Sequence, residues 1–192
     1  MPLGERLDRI RAIHLVPVGS LPPGEGERLT ALVSRHVGLP CRYVDARLDD
    51  ALRFLPGREQ ADADHLLRRL EEHDTEPGTV VVGVTTVDLG LPIFTFVFGG
   101  ARSGGHTAVV SLARLRPEFY GLPADAELAA RRTVAETLHE VAHLAGLGHC
   151  DDYSCLMHFS TDVETIDLRG LSFCPVCASE LPRGFLPGGL PK

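Results

Sequence analysis

Residues 139–150 read His139-Glu140-Val141-Ala142-His143-Leu144-Ala145-Gly146-Leu147-Gly148-His149-Cys150. His139 and His143 are four apart, so on a helix both imidazoles project from one face. Two nitrogens at that spacing reach a single Zn²⁺ at about 2.0–2.1 Å. Glu140 flanks that face, placed to touch a metal-activated water without ligating the metal. Gly146 can take φ > 0, which ends the helix and turns the chain back. His149 then approaches the same centre from outside the helix. Three neutral ligands leave a fourth position open, the mark of a catalytic rather than a structural zinc site. Chance produces this pattern, at this composition, on the order of 10⁻⁴ of the time. A different zinc-enzyme plan takes its third ligand from a glutamate twenty or more residues on. Glu164, 21 residues past His143, fits that distance but leaves Gly146 and His149 without a role.

The histidines close a longer helical segment. Residues 125–144 are dominated by Ala, Glu, Leu and Arg, with Pro123 or Asp125 at the start. Upstream, residues 12–18 (AIHLVPV) read as a strand that ends in a Gly/Pro loop. Residues 25–36 carry Leu29, Leu32 and Val33 at helical spacing, closed by Gly38-Leu39-Pro40. A second strand is expected over 41–46, and a helix over 59–73 with Leu66, Leu67 and Leu70 on one face. Residues 79–85 (TVVVGVT) are continuously apolar, which predicts a central strand buried on both faces. This alternation predicts an α/β fold, with a mainly parallel sheet and helices packed on it. Residues 93–98 (IFTFVF) and 107–112 (TAVVSL) predict a hairpin added at the sheet edge. Past Gly146 periodicity fades and Cys, Gly and Pro accumulate. The expectation is an N-terminal subdomain over 1–146 and a small irregular C-terminal subdomain over 147–192, with a mobile tail at 186–192.

Four of the five cysteines fall in that last part, as Cys150-x4-Cys155 and Cys174-x2-Cys177. Four thiolates at such spacings suit a closed tetrahedral zinc site, structural because it has no room for water. It would order a segment with too few apolar residues to order itself. Two disulfides or a redox CxxC are the other uses of these spacings, disfavoured by a reducing compartment and by the absence of thioredoxin-like surroundings. Cys41, alone on a predicted strand, reads as a buried inert thiol. Cys150 is bonded directly to His149, so the sulfur cluster would anchor the third histidine. Met157 follows shortly, where a turn could form a floor beneath the metal.

HExxHxxGxxHC followed by C-x4-C-x-Met and then CxxC resembles the archaemetzincins, a branch of the metzincin metallopeptidases. Residues 83–89, 96–101 and 111–115 are similar to that family's sheet segments. The resemblance implies a metzincin-like fold: a mixed twisted sheet with an antiparallel edge strand, an active-site helix and a zinc-stabilised C-terminal subdomain, α/β or by some schemes α+β. It also implies roles. His139, His143 and His149 would bind catalytic zinc, Glu140 would act as general base, Cys150, Cys155, Cys174 and Cys177 would bind a second, structural zinc, and Met157 would belong to the Met-turn. The expected function is therefore hydrolysis of peptide bonds by a zinc metallopeptidase holding two Zn²⁺ per chain. A zinc-stabilised binding or regulatory protein with vestigial hydrolysis is the alternative, though a mere binder has no need of Glu140.

The remaining sequence narrows the partners. The 192 residues are 44% hydrophobic and 23% charged, ordinary for a globular chain and unlike a disordered one. A net charge of −7 offers no field for phosphate backbones. Residues 150–192 hold three basic residues (Arg169, Arg183, Lys192) against six acidic ones (Asp151, Asp152, Asp162, Glu164, Asp167, Glu180), so a cysteine module that binds nucleic acid fits this charge poorly and no nucleic-acid partner is expected. No targeting signal or membrane span is evident, and the chain is read as a cytoplasmic monomer. With few residues before the first strand, a zymogen switch by a pro-segment cysteine is not expected. The partner is a peptide or protein substrate. Its expected shelf is the strand at 93–98 with the glycines after it, in particular Phe96, Val97, Phe98 and Gly99, whose exposed backbone could pair with an extended peptide. An ordinary sheet strand is the equal alternative there.

Overall fold

The computed structural model describes residues 10–46, 48–102 and 104–181, and the tail at 186–192 lies outside them. At the centre is β4 (Thr79–Thr85), buried along its whole length. β1 (Ala12–Pro17) and β8 (Thr107–Ser111) flank it, both parallel to it. β2 (Cys41–Tyr43) joins β1 in parallel, and β7 (Gly99–Ala101) runs antiparallel to β8, giving the order β2-β1-β4-β8-β7. The fold is thus a mixed α/β sheet with an antiparallel edge strand.

Both faces of β4 are covered, which is why its sequence shows no alternation. On one face Val80, Val82 and Val84 meet Ile13, Leu15, Ala108 and Val110, under α1 (Glu25–Val37) and α3 (Ala126–Leu144). On the other, Val81 and Val109 pack with Val16 and Val18 under Leu66, Leu67 and Leu70 of α2 (Ala63–Leu70). Each such fully buried aliphatic side chain contributes about 1.5–3 kcal/mol. A small second sheet lies beside α2, formed by β3 (Ala61–Asp62), β5 (Leu89–Leu91) and β6 (Phe94–Val97) in the order β3-β5-β6. Among the described residues no helix is long and apolar enough to cross a membrane.

Three expectations are corrected. The helix expected over 59–73 begins only at Ala63, because the Asp62 side chain accepts from the backbone N–H groups of Asp64 and His65, while residues 61–62 pair with β5. The strand expected over 41–46 ends at Tyr43. The apolar run at 93–98 is not the edge of the main sheet. Phe94–Val97 pairs antiparallel with β5, where the side chains of Arg58 and Gln60 take the carbonyls of Leu91, Phe94 and Thr95. Phe98 then turns into the core, and the edge strand is the glycine-rich Gly99–Ala101. A Cβ on Gly99 would lie 2.8 Å from the Val109 carbonyl oxygen, so this strand needs a missing side chain where β-propensity asks for a bulky one.

The segment after Gly146 is less irregular than expected. It carries α4 (Val163–Leu168), capped by Asp162, and α5 (Pro175–Glu180), capped by the Cys174 sulfur. Each spans six residues, too few to register a 3.6-residue period. Cys155, Leu156, Met157, Val163, Ile166 and Cys177 join the same apolar cluster as β1, β4 and α3.

Gly83 tests the two-sided burial of β4. A methyl there would lie 2.7 Å from Leu70 Cδ1 and 3.2 Å from Val18 Cγ2, both in a filled core. Gly83→Ala is expected to cost about 1–3 kcal/mol and to lower the thermal midpoint. An unchanged midpoint on thermal unfolding would mean the α2 face is loosely packed.

Candidate metal centres

Helix α3 carries the first cluster. Asp125 starts it by accepting from the N–H groups of Glu127 and Leu128. From Ala130 on, almost every residue is buried, including Arg132, Glu136, His139 and Glu140. Buried ionisable groups are tolerated only when partnered, and these share one side of the helix.

His139 Nδ1 donates to the Leu156 carbonyl and His143 Nδ1 donates to the Leu147 carbonyl, each at 2.8 Å. These bonds fix the tautomer that leaves a lone pair on each Nε2. The two Nε2 atoms stand 3.0 Å apart. Gly146, at φ 99°, reverses the chain so that Leu147 faces back to His143 and His149 arrives beside both rings. The His149 ring centroid is 5.4 Å from that of His139 and 4.8 Å from those of His143 and Phe159. One ligating atom from each histidine lies within 4.8 Å of the others, so the three fit a single ion. Burial first, then the neighbouring Arg169 for His139 and His143 for His149, hold these two rings below the ordinary imidazole value. Neutral imidazoles are the form a metal takes.

Glu140 is buried against the edge strand. A Cβ on Gly99 would come within 3.0 Å of its Cγ and 3.1 Å of its Oε1. Burial, followed by the nearby Glu136 carboxylate, pushes its pKa well above the usual carboxylate range.

The four cysteines of the C-terminal segment form the second cluster, their sulfurs all within 4.8 Å of one another. Cys150 Sγ and Cys174 Sγ are 3.8 Å apart. Backbone N–H groups point at the sulfurs: Asp152 to Cys150 and Cys177 to Cys174 at 3.5 Å, and Cys174 to Cys155 at 3.3 Å. Such bonds favour thiolates, and they bring Cys174 down to about 7. Burial raises Cys155 and Cys177. All five cysteines are free thiols, so the disulfide reading is not realised. Burial pushes Cys41 up to about 12, consistent with an inert thiol.

The other singled-out residues are distributed as follows. Met157 is fully buried, and its carbonyl accepts from Cys150 N–H at 2.9 Å. Glu164 stands exposed in the first turn of α4, outside the histidine cluster. Phe96 is half-buried beneath the Arg114 guanidinium, 4.0 Å from the ring centroid, Val97 pairs with Leu89, and Phe98 is in the core. Of those four shelf residues, Gly99 is the one that lies against Glu140. Sequence reading passed over Glu136 and Arg169, joined by a buried ion pair. Glu136 was detectable in principle, three residues before His139 and so on its side of the helix. Nothing local marked Arg169.

Residues 28–183 match the sequence profile of peptidase family M54. The chain is 37% identical over 182 residues to an archaemetzincin from Thermococcus kodakarensis, covering 91% of this chain and 97% of that one. It is 40% identical over 170 residues to an archaemetzincin from Archaeoglobus fulgidus, covering 88% and 91%. Among solved structures, a zinc-dependent peptidase from Methanocorpusculum labreanum superposes with a TM-score of 0.79 at 30% identity, over 88% of this chain and 98% of the other. The archaemetzincin of Methanopyrus kandleri gives 0.73 at 33% identity, over 94% and 98%.

The lowered pKa of His139 has a defined sign. The folded, metal-free protein binds fewer protons here than the unfolded chain, so this contribution to stability is fully present above about pH 6.5 and is lost progressively as pH falls from there toward the lowered folded value. The raised Glu140 acts in the opposite direction. Between about pH 7.5 and 5.5, the thermal midpoint of metal-free wild type is expected to fall more steeply than that of metal-free His139→Gln, which keeps Glu140. Equal slopes would place His139 at its ordinary value.

Proposed function

The chain belongs to peptidase family M54, the archaemetzincins, and on that premise we propose that it hydrolyses peptide bonds with zinc held by His139, His143 and His149 and with Glu140 as general base. The carrying observation is the convergence of three imidazoles, two with the tautomer fixed by a backbone carbonyl, beside a carboxylate buried under the sheet edge. When bound, zinc supplies a Lewis acid that polarises the scissile carbonyl and acidifies water near neutral pH.

The protein groups supply the rest. One carboxylate oxygen of Glu140 takes a proton from the attacking water as its oxygen bonds to the carbonyl carbon. The same proton then passes to the amide nitrogen as the carbon–nitrogen bond breaks and the amine departs. Burial favours the protonated carboxyl between these two events. β7 ends the main sheet, so an extended peptide can add to it as a further strand and present its scissile bond to Glu140. Gly99, lacking a side chain, lets backbone and carboxylate approach. Phe96, Val97 and Phe98 lead into that edge and form its support.

The four-cysteine cluster is assigned a second, structural zinc. It encloses its ion and holds Cys150, hence His149, in place. The chain so organised is one catalytic domain: residues 1–146 bring the sheet and active-site helix, and 147–192 bring the third histidine, the Met157 turn and the sulfur cluster.

Glu140→Ala is expected to keep its metal while peptide hydrolysis drops by about 10²–10⁴-fold. Retained turnover would remove Glu140 from the chemistry. Metal analysis of the wild type is expected to return two zinc ions per chain. His143→Ala and Cys174→Ser should each return about one, with the circular dichroism of His143→Ala unchanged. One zinc in the wild type would refute the two-site assignment.

A further inference from the structure

Arg169 is one of the largest fully buried side chains, 1% exposed, and it follows α4 directly. Its guanidinium is inserted between α3 and residues 156–158. Nη2 donates to Glu136 Oε2 at 2.5 Å, and Nη1 donates to the His158 carbonyl at 3.1 Å. Nη1 also stands 3.0 Å from His139 Nδ1, the nitrogen whose proton goes to the Leu156 carbonyl. One planar group therefore touches the active-site helix, the chain on either side of Met157, and the ring of a zinc-binding histidine.

We propose that Arg169, held by Glu136, is a positioning residue that sets the His139 ring and the Met157 turn relative to each other, and so sets metal affinity at the histidine site. The proposal rests on the metallopeptidase reading of that site.

Stability alone does not account for the pair. Two charges brought out of water seldom outperform well-packed apolar side chains of the same volume. What an apolar pair cannot do is fix direction. The guanidinium fork meets a carboxylate and a carbonyl in one plane, whereas a lysine ammonium is a point charge on a flexible stem. Attachment of α4 to α3 does not need Arg169 either. Arg132 Nε and Nη2 already grip the Asp167 carboxylate at 2.7 and 2.5 Å, about one helical turn before Glu136. The two ion pairs thus separate two roles. Arg132–Asp167 pins the helices together, and Glu136–Arg169 reaches the histidine and the turn. Groups that orient a ligand from behind typically change metal affinity by about 10–100-fold.

The test compares Arg169→Met, Arg169→Lys, the double variant Glu136→Gln with Arg169→Met, and Arg132→Met. The double variant leaves no unpaired buried charge, so it keeps the test open should Arg169→Met fail to fold. Each full-length protein is loaded with Co²⁺, and the histidine-bound ion is followed by its d–d absorption, apart from the sulfur charge-transfer band of the cysteine site. Affinity is measured by chelator competition, with kcat and KM for a peptide alongside. The double variant is expected to bind the histidine-site ion about 10–100-fold more weakly, with an altered d–d spectrum and a fall in kcat larger than the change in KM. Arg169→Lys is expected to recover part of the affinity. Arg132→Met is expected to lower the thermal midpoint while affinity stays within about twofold. Wild-type affinity and spectrum in the double variant would overturn the proposal. So would an equal affinity loss in Arg132→Met, which would make the effect one of general loosening. Because affinity and spectrum are read without turnover, a failure of Glu140 as general base leaves this test standing.

Discussion

Ionisable groups buried along one helix require a partner within reach, and in α3 that requirement organises everything packed around it. Arg132, Glu136, His139 and Glu140 are all nearly sealed from solvent. A helix with such a face cannot simply be laid on a sheet, because the sheet offers it apolar side chains. The partners come instead from the segment after Gly146: Asp167 for Arg132, Arg169 for Glu136, and the Leu156 carbonyl for His139. These contacts tie that segment's path to what the helix must bury. Its apolar residues, Leu156, Met157, Val163 and Ile166, then fill the spaces between these contacts and complete the core begun by the strands.

The same logic explains the sheet edge. Glu140 lies on the flank of α3 that faces β7, where a Cβ on Gly99 would collide with the Val109 carbonyl at 2.8 Å and crowd the Glu140 side chain at 3.0–3.1 Å. Glycine at position 99 solves the steric problem and leaves the strand without a side chain to shield its backbone. An unshielded edge is ordinarily a liability. The proposed docking of an extended peptide needs just such an open edge, and the Glu140 side chain lies alongside it. The bulky Phe94–Val97 is relegated to a separate small sheet, where Arg58 and Gln60 satisfy the carbonyls of Phe94 and Thr95.

How legible this was in the sequence depended on the range of the controlling interaction. The strand at 79–85 and the helix at 126–144 were readable because their signals are local: an unbroken aliphatic run in one, an Asp cap and strong helix formers in the other. The histidine cluster was readable because helix geometry and a single left-handed glycine bring all three residues to one end of α3. The helix at 63–70 began later than its apolar pattern suggested because Asp62 competes for its first N–H groups. Misreading 93–98 as the edge came from trusting β-propensity where close approach to Glu140 and Val109 demanded glycine. Arg169 was out of reach altogether. Its contacts lie 11, 30 and 33 residues away, and no periodicity connects them.

The histidine cluster and the cysteine cluster are closely joined. His149 and Cys150 are adjacent, Cys150 N–H bonds to the Met157 carbonyl, and Cys150 also bridges His158. Leu156, in the same turn, accepts from His139. A displacement of the sulfur cluster is therefore transmitted to two of the three imidazoles, by covalent continuity at His149 and through a hydrogen bond at His139. The segment has too short a run of regular structure to resist such displacement by itself, since its helices are a turn and a half long. Rigid placement must come from cross-links: four sulfurs around one centre at one end, two ion pairs to α3 at the other, and the turn that carries Met157 held between them. With a sheet of modest extent, the precise placement of the three imidazoles comes from these few strong constraints rather than from a larger core.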